Sequence, residues 1–235
     1  MAGKTVTLYD TTLRDGAQTV GISFSLHDKL LIAQALDRLK IDYIEGGWPG
    51  SNPKDDQFFK EIRSVRLGHA KIAAFGSTKK KGVSCRQDKL LQALVSSKAE
   101  ILTIVAKTWD FHVTRALNIG LKDNLVMIRD TIAYLKDCGR TVFLDAEHFF
   151  DGFNANQDYA FSVAGTARDA GADMIVFCDT NGGTLPLDAT HIIEMAVKEC
   201  NIPIGVHFHN DAGVAVANAM AALHACSAVE LLALY

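Results

Sequence analysis

Seven short apolar runs recur along the chain, at Val6–Tyr9, Tyr43–Glu45, Ile72–Phe75, Ile101–Val105, Val142–Asp145, Met174–Cys178 and Ile204–His207, and they begin 29 to 41 residues apart. Most are β-branched and bounded by turn residues, the pattern of strands buried on both faces. Helical periodicity fills the gaps. Ser25 opens one helix, with Asp28 three residues on as a short capping box. Leu125, Ile128, Ile132 and Leu135 step by three and four, and Tyr159, Val163, Thr166 and Ala170 follow the same rule more weakly. Pro186 and Asp188 start a further helix, and Val216, Met220 and Leu223 line the last. A helix between each pair of strands is the signature of parallel βαβ units. Seven such units predict a (β/α)8 TIM barrel. A Rossmann-type sheet usually has fewer strands, and no G-x-G-x-x-G follows the first run.

After His224-Ala225 the sequence offers only Val229–Tyr235 as a further apolar run. The expectation is therefore a single catalytic barrel domain over residues 1–235, C-terminally truncated, with seven βα units and at most a remnant eighth strand. Such a barrel would leave the edges of strands 1 and 7 unpaired. A length of 235 residues suits one barrel domain, and 49% hydrophobic residues supply its core. A net charge of −3 implies no nucleic-acid partner, and no apolar run is long enough to imply a membrane span. The start runs directly into a strand, so no signal peptide is expected. Five cysteines without a C-x-x-C pair suit buried thiols in a reducing cytosol, so a cytoplasmic location is expected. The basic run Lys79-Lys80-Lys81-Gly82 reads as a solvated loop, or more sharply as a clamp on a phosphate.

In a barrel, chemistry sits where strands end at the C-terminal face. The informative residues all fall there: Asp10-Thr11-Thr12-Leu13-Arg14-Asp15-Gly16, Glu45-Gly46-Gly47-Trp48-Pro49, Asp145-Ala146-Glu147-His148, Cys178-Asp179-Thr180-Asn181-Gly182-Gly183 and His207-Phe208-His209-Asn210-Asp211. Alternate strand residues share a face, so His207 and His209 can both point into the mouth. Two imidazoles with a carboxylate suit a borderline divalent metal, against the blander reading of two structural histidines. Asp15 is a candidate third ligand. Arg14 cannot ligate, but it can hold a developing oxyanion; the plain alternative for this dipeptide is a surface ion pair. Glu45 and Glu147 each read as a general acid or base near a metal, or as a hydrogen-bonded structural acid. Thr180 can offer a hydroxyl to a substrate carboxylate, or simply belong to a glycine turn.

Taken together, the Asp10–Gly16 segment and the His207-x-His209-Asn210-Asp211 segment resemble the metal-dependent barrel family that includes isopropylmalate, homocitrate and citramalate synthases and the hydroxymethylglutaryl-CoA lyases. The resemblance spans nearly all of residues 4–225. Finer marks resemble the larger, two-domain citramalate synthases: Tyr43–Asp55, the run Asp145-Ala146-Glu147-His148-Phe149-Phe150-Asp151-Gly152, and Cys178–Pro186. The resemblance implies a transferase that condenses acetyl-CoA with pyruvate and water to (R)-citramalate and CoA, in isoleucine biosynthesis. Isopropylmalate or homocitrate synthesis is the alternative within the class, and a catalytically inactive fragment is the alternative outside it. It implies a divalent metal (Mn, Mg, Zn or Co) on Asp15, His207 and His209. Arg14 would polarise the ketone oxygen, Thr180 would hold the carboxylate, Glu147 would sit by the reacting centre, and Asp15 and Glu45 would contact substrate. A tight site behind Trp48-Pro49 would suit the small methyl group of pyruvate. The family further implies an asparagine ligand after an eighth strand, a C-terminal regulatory domain and a homodimer of the full-length enzyme. The first two have no counterpart in this sequence.

Overall fold

In a computed structural model, which describes residues 6–225 and 229–234, eight parallel strands close into a barrel in chain order. The strands are β1 (Thr7–Asp10), β2 (Tyr43–Glu45), β3 (Lys71–Ser77), β4 (Ile101–Lys107), β5 (Thr141–Glu147), β6 (Met174–Asp179), β7 (Ile204–Phe208) and β8 (Val229–Leu234). Around them run α1 (Leu26–Arg38), α2 (Pro53–Glu61), α3 (Lys89–Ser97), α4 (Asp110–Arg115), α5 (Leu121–Asp137), α6 (Phe149–Asp169), α7 (Pro186–Cys200) and α8 (Ala215–Ala225). Each of the seven apolar runs read from sequence is a strand; the first is shifted by one residue, starting at Thr7 and ending at Asp10, and the others match or are extended at their ends by one or two residues. Among the described residues no helix is long and apolar enough to cross a membrane.

The barrel closes, which corrects the expectation of bare edges on strands 1 and 7. Val229–Leu234 is a full strand: Thr7 to Asp10 pair with Leu231 to Leu234, and on the other side Ile204 to His207 pair with Val229 to Ala233. That second ladder shifts register between Ile204 and Gly205. A Cβ at Gly205 would lie 3.0 Å from Leu231 Cδ2 and 3.0 Å from Val176 Cγ2, so the absent side chain is what lets Leu231 seat inside the barrel. Between two open ladders the N–H and C=O groups of this segment find strand partners on both sides while Val229 and Leu231 are buried.

Strand parity divides the core in two. One set of alternating residues faces the helices; Ile44, Leu102, Leu144, Ile175, Phe177 and Val206 are all essentially buried there. The other set points inward, where Tyr9, Ala73, Ile101, Phe143, Met174, Val176, Cys178 and Leu231 pack into an apolar plug. Continuing the inward series in steps of two residues toward the C-terminal end reaches Glu45 on β2, Phe75 on β3, Thr103 and then Val105 on β4, and Asp145 and then Glu147 on β5, so the period-2 geometry that builds the plug also builds the polar rim above it.

The helices follow their local signals. Ser25 and Asp28 form the reciprocal capping box of α1. On α5, Ile128, Ile132 and Leu135 are fully buried. The face assigned to α8 is a correction: Val216 and Met220 are 77% and 60% exposed, whereas Asn218 and Ala222 are buried. Asn218 Nδ2 donates to Thr184 O at 2.8 Å, and this bond at the start of α7 sets the roll of the helix. The lysine run lies after β3, where Lys79 pairs with Asp130 at 3.1 Å and Lys81 with Asp123 at 2.8 Å, both on α5. Cys85, Cys138, Cys178 and Cys200 are free thiols; Cys226 lies outside the described residues.

Candidate active site

The turn after β1 is wound tightly: the backbone N–H groups of Arg14, Asp15 and Gly16 all donate to Thr11 O, at 3.0, 2.8 and 3.1 Å. This winding turns Asp15 toward β7, its neighbour but one across β8. There Asp15 Oδ2 lies 3.6 Å from His207 Nε2 and 3.4 Å from His209 Nε2. The three side chains offer ligand atoms within 4.8 Å of one another. Two atoms each about 2.1 Å from one ion are about 3.0–3.4 Å apart at octahedral to tetrahedral angles, so the His209 spacing matches and the His207 spacing is about 0.2 Å wider. The observed spacings are thus close to those around a shared ion, and a carboxylate with two imidazoles fits a borderline divalent one. The charge states agree. Burial, then the neighbouring His209, push the His207 imidazolium down to about 3, which leaves a neutral imidazole. Burial works against ionisation of Asp15, but a hydrogen bond from His209 and the charge of Arg14 hold its carboxyl down at about 2.

Arg14 is fixed on three sides. Its Nε donates to Glu45 Oε2 at 2.6 Å, its NH1 nitrogen faces Asp15 Oδ1 at 3.3 Å, and its guanidinium lies 3.9 Å from the centroid of Phe75. Glu45 is fully buried, and its other oxygen accepts from Tyr9 Oη at 2.8 Å, which in turn shares a hydrogen bond with Thr103 at 2.7 Å. Burial raises the Glu45 carboxyl, and Arg14 opposes the rise. Of the two readings open for Glu45, the structural acid fits. Both of its oxygens are occupied and it does not line the cavity, so in this structure it supports Arg14.

Arg14, Asp15, His207 and His209 open onto a cavity of about 180 Å³, which Glu147 and Thr180 also line. Glu147 is ion-paired through Oε2 with Lys107 Nζ, because the β4–β5 register sets Lys107 opposite Glu147. The Thr180 oxygen accepts from the backbone N–H of His148 at 2.9 Å, so its proton remains to donate. Sequence reasoning missed Lys107, Phe75 and Gln18 and gave no role to Cys178 or Asp145, which all help to line this cavity or hold its acids. Asp145 sits two residues below Glu147 on the inward face, a position that strand parity alone would have flagged. Burial, then the charge of Glu45, push its carboxyl well above the usual range.

A larger cavity of about 490 Å³ adjoins the first and shares Arg14 and Gln18 with it; Phe24, Lys29, Trp48 and Lys54 lie on its walls. Trp48 faces this larger space. It meets Phe75 edge-on at 5.3 Å, so Phe75, not Trp48, bounds the small cavity. The expected tight site behind Trp48-Pro49 is corrected in this way.

A closed (β/α)8 barrel with an Asp–His–His constellation and a clamped arginine at its C-terminal mouth defines a barrel with a candidate divalent-metal centre. The sequence pattern of the HMGL-like family matches residues 5–231, and the chain belongs to that family. It is 54% identical over 222 residues to an (R)-citramalate synthase of Geobacter sulfurreducens and 51% identical over 218 residues to one of Sulfolobus acidocaldarius. Those alignments cover 94% and 93% of this chain, and the chain spans 42% of the length of each relative. The fold is that of an HMG-CoA lyase from Bacillus subtilis, with a TM-score of 0.80 at 18% identity, covering 98% of this chain and 76% of the lyase.

Proposed function

We propose that this chain carries the catalytic barrel of an acyl-CoA-dependent condensing transferase that joins acetyl-CoA, pyruvate and water into (R)-citramalate and CoA, a step of isoleucine biosynthesis. The observation that carries the reading is the convergence of Asp15, His207, His209, Arg14 and Thr180 on one small cavity. The likeness to (R)-citramalate synthases supports the choice of substrates. A divalent ion on Asp15, His207 and His209 would supply Lewis acidity to the ketone and carboxylate oxygens of the 2-oxo acid.

The chain's own groups do the rest. Arg14 has its Nε committed to Glu45 and turns its terminal nitrogens to the ketone oxygen, where negative charge grows as the carbon–carbon bond forms. Thr180 donates its proton to the substrate carboxylate and fixes which face of the ketone is attacked. Glu147 takes a methyl proton from the acetyl thioester, and the resulting enolate attacks the ketone carbon. Water then cleaves the thioester and releases CoA. The larger cavity beside Arg14 and Gln18 is the entry for the thioester's long arm. Phe75 limits the room beside the ketone and favours a methyl group.

Release of free thiol from acetyl-CoA tests the reading, with pyruvate, 2-oxoisovalerate and 2-oxoglutarate as acceptors and with manganese or a chelator present. The expected result is manganese-dependent release with the largest kcat/KM for pyruvate. A larger kcat/KM for 2-oxoisovalerate would move the assignment to isopropylmalate synthesis. No release with any acceptor would leave a fragment that binds without turning over.

A further inference from the structure

The segment that joins β5 to α6 holds His148 in the left-handed region, at φ 55° and ψ 35°. An L side chain there costs energy and persists only where its surroundings over-determine it. Three contacts do so. The His148 backbone N–H donates to Thr180 Oγ1 at 2.9 Å, and its ring Nδ1 lies 3.0 Å from Asp151 Oδ2. The ring of His112 closes the other side, edge-on at 4.4 Å. Asp151 then reaches across: its second oxygen accepts from Asn181 Nδ2 at 3.1 Å. One carboxylate thus grips the exit of β5 through His148 and the exit of β6 through Asn181, the residue after Thr180. A carboxylate only accepts, so Nδ1 of His148 carries the proton in this bond. Asp151 does not line the cavity.

We propose that Asp151 is a positioning residue. By anchoring His148 and Asn181, it holds the Thr180 hydroxyl with its oxygen committed to the His148 N–H and its proton presented to the carboxylate of a 2-oxo acid. This rests on the reading that Thr180 contacts that carboxylate. Pyruvate affinity should therefore depend on a residue that never touches pyruvate, and the dependence should run entirely through Thr180. Glycine adopts the left-handed conformation without penalty, so a glycine at 148 needs no ring anchor yet keeps the N–H that Thr180 requires.

The test measures pyruvate affinity of the manganese-loaded chain by calorimetry and, alongside it, KM and kcat by thiol release. Thr180→Val and Asp151→Ala should each weaken pyruvate binding by roughly three- to tenfold, the scale of one lost hydrogen bond. KM for acetyl-CoA should change little in Asp151→Ala. The double variant should bind pyruvate no worse than Thr180→Val alone, and His148→Gly should restore part of the affinity lost in Asp151→Ala. The isosteric Asp151→Asn, which cannot accept through both atoms, should repeat the loss without altering Tm. If Thr180→Val weakens binding and Asp151→Ala and Asp151→Asn do not, or if the effects add, the positioning role is wrong. If Thr180→Val leaves pyruvate affinity unchanged, the reading of Thr180 fails first and this inference falls with it.

Discussion

Arg14 shows what a single side chain is asked to do here. Its guanidinium has one nitrogen on Glu45, a face on Phe75 and a flank beside Asp15. A lysine would keep the charge but lose the fork, so it could not hold Glu45 and a growing alkoxide at once. Arg14→Lys is expected to lower kcat by on the order of 10²-fold, the scale of one lost oxyanion donor of about 3 kcal/mol. Manganese affinity should stay close to wild type. Calorimetry beside steady-state kinetics separates the two, and an unchanged kcat would return Arg14 to the role of a plain ion pair. His207→Ala should do the opposite and remove manganese binding in the same titration, because the remaining Asp15 and His209 cannot enclose an ion. These residues were legible in the sequence, since strand parity sends His207 and His209 one way. What was not legible is the partner of each. Lys107 and Glu147 are far apart in the chain and meet only because the β4–β5 register sets them opposite, and register depends on the assembled sheet rather than on either strand alone. Glu45 stays ambiguous from sequence for a related reason: its end-of-strand position is the same whether it faces substrate or backs an arginine.

Between elements, short loops carry the precision. Gly182 stands after β6 at φ 61°, and a Cβ there would lie 2.5 Å from Asp211 Oδ2, 2.8 Å from Asp211 N and 3.0 Å from His209 C. Gly182→Ala would have to push the His209 segment outward. Such outer-shell changes cost on the order of tenfold or more in metal affinity, and the same loss is expected here by manganese titration with the fold intact by circular dichroism. At the far end of α1, Asp37 accepts from the backbone N–H groups of Gly68, His69 and Ala70 at 3.0, 2.8 and 2.8 Å. These bonds hold its carboxyl down at about 2, below its ordinary value of 3.8. A depressed folded value means the stabilisation is complete above the unfolded value and fades as pH falls toward the folded one. Asp37→Asn should therefore lower the urea midpoint at pH 7, and the gap to wild type should begin to narrow below about pH 4. A gap that is constant with pH would mean that charge plays no part. The α8 face was misread at this same scale. Its apolar residues are spread around the helix, and one buried amide, Asn218 on Thr184, decides the roll that hydrophobicity left open.

For the whole molecule, closure rests on Val229–Leu234. Leu231 is fully buried in the interior plug, so Leu231→Ala should cost about 2–5 kcal/mol by urea unfolding, as large-to-small changes in a packed core do. A shift below 1 kcal/mol would mean that β8 packs loosely. The placement of that strand has another effect. Asp15 follows β1, His207 lies on β7, and β8 is the single strand between them. The candidate ligands therefore stand on opposite banks of β8, and an ion held by both banks is a clasp across it. Whatever binds the zipped state alone stabilises it by mass action. Manganese should slow hydrogen exchange at the amides of residues 229–234 more than at those of β4, on the opposite wall, and His207→Ala should abolish the difference. The same coupling runs in reverse: each transient unzipping of β8 pulls the ligands apart, so the lifetime of a bound ion would be set by how often that strand breathes.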